Sequence, residues 1–154
     1  MDVVLTGTGS PLPDANRAGP STLIKAGDCH VLVDAGRGVV MRMAGAGSLP
    51  VFLSGVLITH LHSDHICDLN DVITTHWIMS QGNAILPIYG PPGTEEFVNR
   101  QLHALEFDIS YRIEHHEELT SGPQVEVVEL APGDQFAISD LSIKTAATEH
   151  APVK

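Results

Sequence analysis

The sequence has few cysteines, few basic residues and no long apolar run. Cys29 and Cys67 are its two cysteines, and neither belongs to a C-x-x-C pair, so no disulfide framework is predicted. No stretch approaches the roughly 18 apolar residues of a membrane span. Residues 1–7 lack a basic region followed by a long apolar run, so no signal peptide is visible. These absences predict a reduced, cytoplasmic setting without a membrane partner.

Basic residues are outnumbered by acidic ones. The chain has 8 Lys and Arg against 19 Asp and Glu, which gives a formal net charge of -11. Such an acidic surface argues against non-specific binding to nucleic acids or anionic membranes. It does not exclude a nucleic-acid substrate that is held by metals and a local basic patch. The length of 154 residues is typical of one domain.

Hydrophobic periodicity and turn residues predict a chain that mixes strands and helices. Short apolar segments bounded by glycine, proline or polar turns are interpreted as strands, and longer segments with an apolar stripe as helices. The predicted strands are 3–5, 22–25, 30–33, 56–59, 85–89, 110–115, 125–130, 135–138 and 141–147, and the predicted helices are 38–46, 65–81 and 95–107.

The most informative segment is residues 59–65, with the sequence THLHSDH, directly after the apolar residues 56–58. Imidazole and carboxylate side chains bind zinc and similar divalent metals. Along an extended segment His60, His62 and Asp64 share one face, whereas His65 opens the next helix and approaches from another direction. One segment can therefore serve two adjacent metals. The competing interpretation is a histidine-rich surface loop.

The pattern H-x-H-x-D-H at a strand-to-helix turn resembles the signature of the metallo-β-lactamase superfamily of metallohydrolases. The resemblance implies an α/β fold (α+β by some schemes), the αββα sandwich. Residues 1–154 are expected to hold mainly its N-terminal half, as a domain truncated on the C-terminal side. By resemblance, His60 and His62 bind a first metal together with His150, and Asp64 and His65 bind a second. The implied cofactor is Zn²⁺, two ions per complete site, with Mn²⁺ or Fe as alternatives.

Three further segments are similar to the ribonuclease Z group of this superfamily: residues 5–10, 89–94 and 149–152. These enzymes are zinc phosphodiesterases that remove the 3′ trailer from precursor tRNA. The resemblance therefore implies an endoribonuclease that uses a metal-activated hydroxide, an RNA substrate and a homodimer. Asp64 is the implied catalytic residue, because it binds metal and orients the nucleophile or accepts its proton.

Two other functions compete with this hypothesis. One is a different hydrolase with the same metals, acting as an arylsulfatase, cyclic-nucleotide phosphodiesterase, lactonase or thioesterase, and the acidic charge favours it. A substrate panel distinguishes these activities. The other is a non-catalytic metal-binding fragment, because the bridging aspartate and last histidine of the superfamily pattern have no position within the 154 residues.

Asp34 has two possible roles. It stands at the end of a predicted strand before Gly36, where an aspartate commonly caps the following helix. We prefer that interpretation slightly. In the resembled superfamily an aspartate at this point supports the metal site by orienting its ligands, and both roles are compatible.

The remaining histidines are interpreted as structural or surface residues. His30 lies within a predicted strand, and His76 lies beside the core-facing stripe of a predicted helix. His103, His115 and His116 are expected on the surface. None of these five is expected to bind metal.

Overall fold

A computed structural model describes residues 1–149 of the 154-residue chain. Within that range one sheet contains six strands in chain order: β1 (Asp2–Gly7), β2 (Ser21–Ala26), β3 (Cys29–Val33), β4 (Leu53–Leu57), β5 (Leu86–Gly90) and β6 (Val125–Glu129). The strands β1, β2 and β3 pair antiparallel, and the pairs from β3 to β6 are parallel. Two further strands, β7 (Gln135–Ile138) and β8 (Leu141–Lys144), form a separate antiparallel hairpin.

Helices connect the parallel strands, as parallel pairing requires. Within residues 1–149 the helices are α1 (Val39–Gly45), α2 (Ser63–Ile66), α3 (Leu69–Met79), α4 (Thr94–Ala104) and α5 (Glu106–His115), with a short 3-10 helix at Pro50–Phe52. None of the helices in this part of the chain is long and apolar enough to cross a membrane.

The sheet is covered on both faces at its centre. Met43 and Leu69 from the helices pack with Leu32 on one face. On the other face Val31 packs with Ile138 from the β7–β8 hairpin. Because neighbouring strand residues point to opposite faces, Val31 and Leu32 are both fully buried. This layering agrees with the predicted α/β architecture.

The strand predicted over residues 110–115 is wrong, because this segment belongs to helix α5. Glu106 and Asp108 lie in its first turn and Arg112 in its last, where their charges complement the helix dipole. The Arg112 Nε atom is 2.9 Å from the Asp108 carboxylate, one helical turn away. The β-branched Ile113 favours a strand, but its spacing of four residues from Ile109 also suits one helix face.

The helix predicted over residues 65–81 is two helices, α2 and α3, separated at Cys67 and Asp68. The break coincides with long-range hydrogen bonds. The Asp68 amide donates to the Ala35 carbonyl oxygen at 3.0 Å, and the Asp68 carboxylate accepts from the Gly38 amide at 2.6 Å. The interruption therefore attaches the start of α3 to the loop after β3.

Three backbone segments cross so closely that only glycine fits. A Cβ atom on Gly36 would lie 2.5 Å from the Gly19 carbonyl carbon and 2.6 Å from the Asp64 carbonyl oxygen. A Cβ on Gly19 would lie 2.5 Å from the Arg37 amide nitrogen, and one on Gly7 would overlap the Gly19 carbonyl oxygen. This glycine crossing, formed by Gly7, Gly19 and Gly36, holds the N-terminal loop against the segment that contains Asp64.

We expect Gly36→Ala to lower the free energy of unfolding by about 1–3 kcal/mol, because the neighbouring atoms belong to backbone and cannot rotate away. Urea unfolding measures the effect, on the protein at its full natural length (the longest natural chain). Gly45→Ala is the matched control, since a Cβ on Gly45 meets nothing within 4 Å. Equal unfolding midpoints for Gly36→Ala and the unsubstituted chain would contradict the close crossing.

A second prediction concerns His76 of α3, which is 3% exposed. Burial lowers the pKa of its imidazole below the ordinary value. As pH falls below about 6.5, the unfolded chain takes up a proton that the folded chain takes up only at a lower pH. The free energy of unfolding therefore decreases in the window between the two pKa values. We expect His76→Gln to reduce this loss between about pH 7.5 and about pH 5.5 in urea unfolding.

The exposed His103 provides the control for that measurement, because its side chain is 80% exposed. His103→Gln makes the same chemical change at this exposed position. The interpretation fails if the two variants show the same pH dependence.

Candidate metal centre

The histidines of residues 59–65 lie beyond the C-terminal end of β4, which is an inner strand of the sheet. The strand ends at Leu57, earlier than predicted, and the Ile58 amide still donates to the Tyr89 carbonyl oxygen at 2.7 Å. Residues 59–62 continue without regular structure, and helix α2 begins at Ser63. The Ala35 amide donates to the His65 carbonyl oxygen at 2.7 Å, which holds α2 against the loop after β3.

His60 and His62 direct ring nitrogens towards one another. The His60 Nε2 and His62 Nδ1 atoms are 3.0 Å apart, and the ring centroids are 4.7 Å apart. Two nitrogens bound to one tetrahedral zinc lie about 3.3 Å apart. The two nitrogens therefore already have nearly the separation that one zinc ion would require.

Asp64 and His65 join the same group. The centroid of the His65 ring is 4.1 Å from that of His60, and His65 Nε2 is 3.9 Å from the Asp64 carboxylate. The Asp64 side chain is 10% exposed and that of His65 is 20% exposed. The structure thus brings together all four side chains that the motif predicts.

Asp34 connects this group to the neighbouring strand. Its carboxylate accepts hydrogen bonds from the Thr59 amide at 2.8 Å, the Thr59 hydroxyl at 2.8 Å and His65 Nδ1 at 2.7 Å. Asp34 has a positive φ of 62°. This conformation is uncommon outside glycine, and aspartate is among the residues that adopt it most readily.

The preferred role of Asp34 as a helix cap is wrong. Helix α1 has Gly38 at its N-cap and no capping bond from a side chain. The carboxylate that binds the Gly38 amide belongs to Asp68. The supporting role of Asp34 agrees with its contacts to Thr59 and His65.

These contacts determine which nitrogen of each imidazole carries its proton. A hydroxyl has one proton, and a carboxylate only accepts, so the Thr59 hydroxyl donates to Asp34. His60 Nδ1, 3.0 Å from the Thr59 hydroxyl oxygen, is then the donor of that bond. His65 Nδ1 donates to Asp34 in the same way. A neutral imidazole with its proton on Nδ1 has its lone pair on Nε2, so both histidines would offer Nε2 to a metal.

Sequence reasoning missed Thr59, whose hydroxyl group contacts the candidate centre. Thr59 directly precedes His60, and its hydroxyl lies between that histidine and Asp34. A hydroxyl side chain directly before the first histidine of the motif was the available signal. Its partner Asp34 is 25 residues away and could not be identified from spacing.

The remaining histidines of the chain lie outside this group or outside the described residues. His150 lies outside the described residues. His30 bonds through Nδ1 to the Ser48 hydroxyl at 2.8 Å, His76 is buried in α3, and three further histidines are exposed: His103, His115 and His116. Within residues 1–149, no three His, Cys, Asp or Glu side chains close around a single metal position.

Cys67 follows α2 and is the thiol nearest in sequence to the motif. Burial raises its pKa, and the charge and hydrogen bond of Asp68 raise it further. A thiol is a good metal ligand only as the thiolate. Without a metal, Cys67 is therefore held as the neutral thiol more firmly than an ordinary cysteine.

A family model described as a beta-lactamase superfamily domain matches residues 30–154. The chain belongs to the beta-lactamase superfamily. Its metallo-β-lactamase fold, and so the predicted fold class, is confirmed by similarity to the metallo-β-lactamase fold protein YhfI from Bacillus subtilis. The TM-score is 0.71 at 24% identity, covering 98% of this chain and 54% of that one.

Relatives in this superfamily include ribonuclease Z proteins. The ribonuclease Z of Mycolicibacterium gilvum strain PYR-GCK is 51% identical over 155 residues, which cover 99% of this chain and 54% of that protein. The crystal structure of the short form of human tRNase Z has a TM-score of 0.66 and 27% identity, covering 86% of this chain and 46% of that one. The chain spans about half the length of the curated relatives it matches. The metallo-β-lactamase fold implies a divalent metal, and the imidazole and carboxylate donors grouped here suit one.

Proposed function

We propose that the protein containing this chain is a zinc-dependent phosphodiesterase of the ribonuclease Z type, which removes the 3′ trailer from precursor tRNA. The observation that carries this proposal is the convergence of His60, His62, Asp64 and His65, with Asp34 orienting two of the imidazoles. The 51% identity to a protein named ribonuclease Z supports the choice of substrate.

The proposed ligands are His60, His62 and His150 for one zinc, and Asp64 and His65 for a second. Mn²⁺ or Fe are the alternatives to zinc. When bound, two divalent ions would offset charge on a phosphoryl group and provide hydroxide near neutral pH. Elemental analysis of the longest natural chain, purified without added metal, tests this part of the proposal. About two zinc ions per chain are expected.

The chain's own residues would orient the reacting groups. Asp34 accepts a hydrogen bond from His65 Nδ1 and, through Thr59, fixes the ring of His60. Asp64 is the carboxylate of the motif, and in this proposal it binds metal and orients the attacking oxygen or accepts its proton. A site held in this way is organised before substrate arrives, which lowers the cost of reaching the transition state.

The direct test is cleavage of a precursor tRNA with a 3′ trailer by the longest natural chain, together with hydrolysis of bis(p-nitrophenyl) phosphate. His62→Ala should abolish both activities, whereas His103→Ala should preserve them because His103 is exposed on α4. A chain that binds zinc but cleaves neither substrate would contradict the proposal.

The acidic charge supports a second candidate function. A net charge of -11 is unusual for a protein that binds a polyanion, so the same centre could serve a smaller ester. The candidates are aryl sulfates, cyclic nucleotides, lactones and thioesters, and a panel of these substrates decides between them. The main proposal requires that precursor tRNA be cleaved with the highest kcat/KM of the panel.

The proposal also includes a cytoplasmic homodimer. Light scattering on the longest natural chain tests the assembly, and a mass of twice the chain mass is expected. A monomeric mass at micromolar concentration would remove this part and leave the catalytic proposal in place.

A further inference from the structure

Arginine is concentrated on one part of the surface. A groove of about 420 Å³ is lined by Ala15, Arg17, Ala18, Arg37, Gly38, Met41 and Arg42. We call it the arginine groove. It contains 3 of the chain's 8 Lys and Arg, and among residues 1–149 no carboxylate lines it. In a chain of net charge -11, it is a local region of opposite charge.

Two of the groove arginines, Arg37 and Arg42, differ from the other described arginines in their ion pairs. Arg100 and Arg112 each bond to a carboxylate one helical turn away, at 2.7 Å and 2.9 Å. In the described part of the chain, neither Arg37 nor Arg42 has a carboxylate within 4.0 Å, and Arg17 is 3.7 Å from an aspartate three residues earlier. Among the described residues, Arg37 and Arg42 therefore present guanidinium groups that no carboxylate pairs with, whereas Arg17 is partly neutralised by its aspartate.

The groove and the candidate metal centre share one loop. Residues 34–38 begin at Asp34, which binds His65, and end at Arg37 and Gly38, which line the groove. Both ends of this loop are fixed. The Asp34 carboxylate is held by the Thr59 amide at 2.8 Å, and the Gly38 amide donates to the Asp68 carboxylate at 2.6 Å. The loop therefore connects the groove to the candidate centre within five residues.

We propose that the arginine groove binds the phosphate backbone of an RNA substrate. Guanidinium groups bind phosphate through paired hydrogen bonds, and two that lack a carboxylate partner, Arg37 and Arg42, suit successive phosphates of one backbone. Met41, which is 80% exposed, offers an apolar surface for a ribose or a base. The choice of RNA as the polyanion rests on the proposed function.

The test compares two double variants that change the net charge equally. Binding of a short, labelled single-stranded RNA to the longest natural chain is measured by fluorescence anisotropy over a range of salt concentrations. Loss of two phosphate contacts should reduce the slope of log K against log salt by about 1.4 for Arg37→Gln with Arg42→Gln. The control, Arg100→Gln with Arg112→Gln, should keep the slope of the unsubstituted chain.

The outcomes separate this proposal from the proposed function. Equal slopes for both double variants, or no RNA binding by the unsubstituted chain, would overturn the groove as an RNA site. Hydrolysis of bis(p-nitrophenyl) phosphate by the unsubstituted chain reports on the centre independently, because this substrate has no polyanionic backbone. RNA binding with the expected slope change, but without any phosphodiester hydrolysis, would support the groove and reject the proposed enzyme.

Discussion

Asp64→Ala in the longest natural chain should lower kcat for phosphodiester hydrolysis by roughly 10²–10⁴-fold, the range that a positioned proton acceptor contributes. The carboxylate is 10% exposed, and His65 Nε2 lies 3.9 Å from it. Its position beside His65 directs it to the candidate centre, so its loss should affect chemistry far more than folding. The free energy of unfolding should change by no more than about 1 kcal/mol.

Three measurements on this variant are needed together: kcat, metal content and the urea midpoint. Asp140→Ala, in the exposed turn between β7 and β8, is the control for loss of a carboxylate. Asp64→Asn keeps the size of the side chain and should also lose activity, because an amide is a weaker metal ligand and a poor proton acceptor. Normal turnover by Asp64→Ala with both metals bound would contradict the assigned role.

Asp34→Asn should weaken metal binding by about 10- to 100-fold, although Asp34 itself is not a proposed ligand. The carboxylate accepts hydrogen bonds from Thr59 and from His65. An amide has one acceptor oxygen and one donor group, so it cannot accept all of these bonds. One imidazole would then lose the contact that fixes its proton and its orientation.

Competition with a zinc-binding dye measures this affinity. Asp28→Asn makes the same chemical change in the exposed β2–β3 turn and should leave the affinity unchanged. If Asp34→Asn binds zinc as tightly as the Asp28→Asn control, the supporting role of Asp34 is wrong. A matching loss of kcat at saturating zinc would indicate that Asp34 also orients the groups that react.

The parts of the fold that depend on local signals could be predicted from the sequence. The β2–β3 hairpin is specified by Gly27, which has a φ of 61°. The position of the motif between β4 and α2 follows from an apolar run and the ligand residues after it. Helix α5 was missed because the pattern of its isoleucines fits two periods, and packing decides between them.

The contacts that organise the site could not be predicted in the same way. Asp34 meets Thr59 across 25 residues and His65 across 31. Asp68 lies at the interruption of the predicted helix, and its carboxylate binds the Gly38 amide, which is 30 residues earlier. Such pairs depend on the register of β3 beside β4, which turn residues and hydrophobic periods do not specify. The four proposed ligands could be identified because they lie within six residues, whereas the residues that support them are distant in sequence.

The glycine crossing has a consequence for how the sequence can vary. Gly7, Gly19 and Gly36 contact backbone atoms and hold no side chain near the reaction, yet any larger residue at these positions must move the main chain. Changes at these positions cannot be compensated by trimming a neighbouring side chain. In a library of all single substitutions, these sites should therefore tolerate as few residues as the histidines, although they carry no chemistry. The geometry of the centre therefore depends partly on positions where only glycine fits.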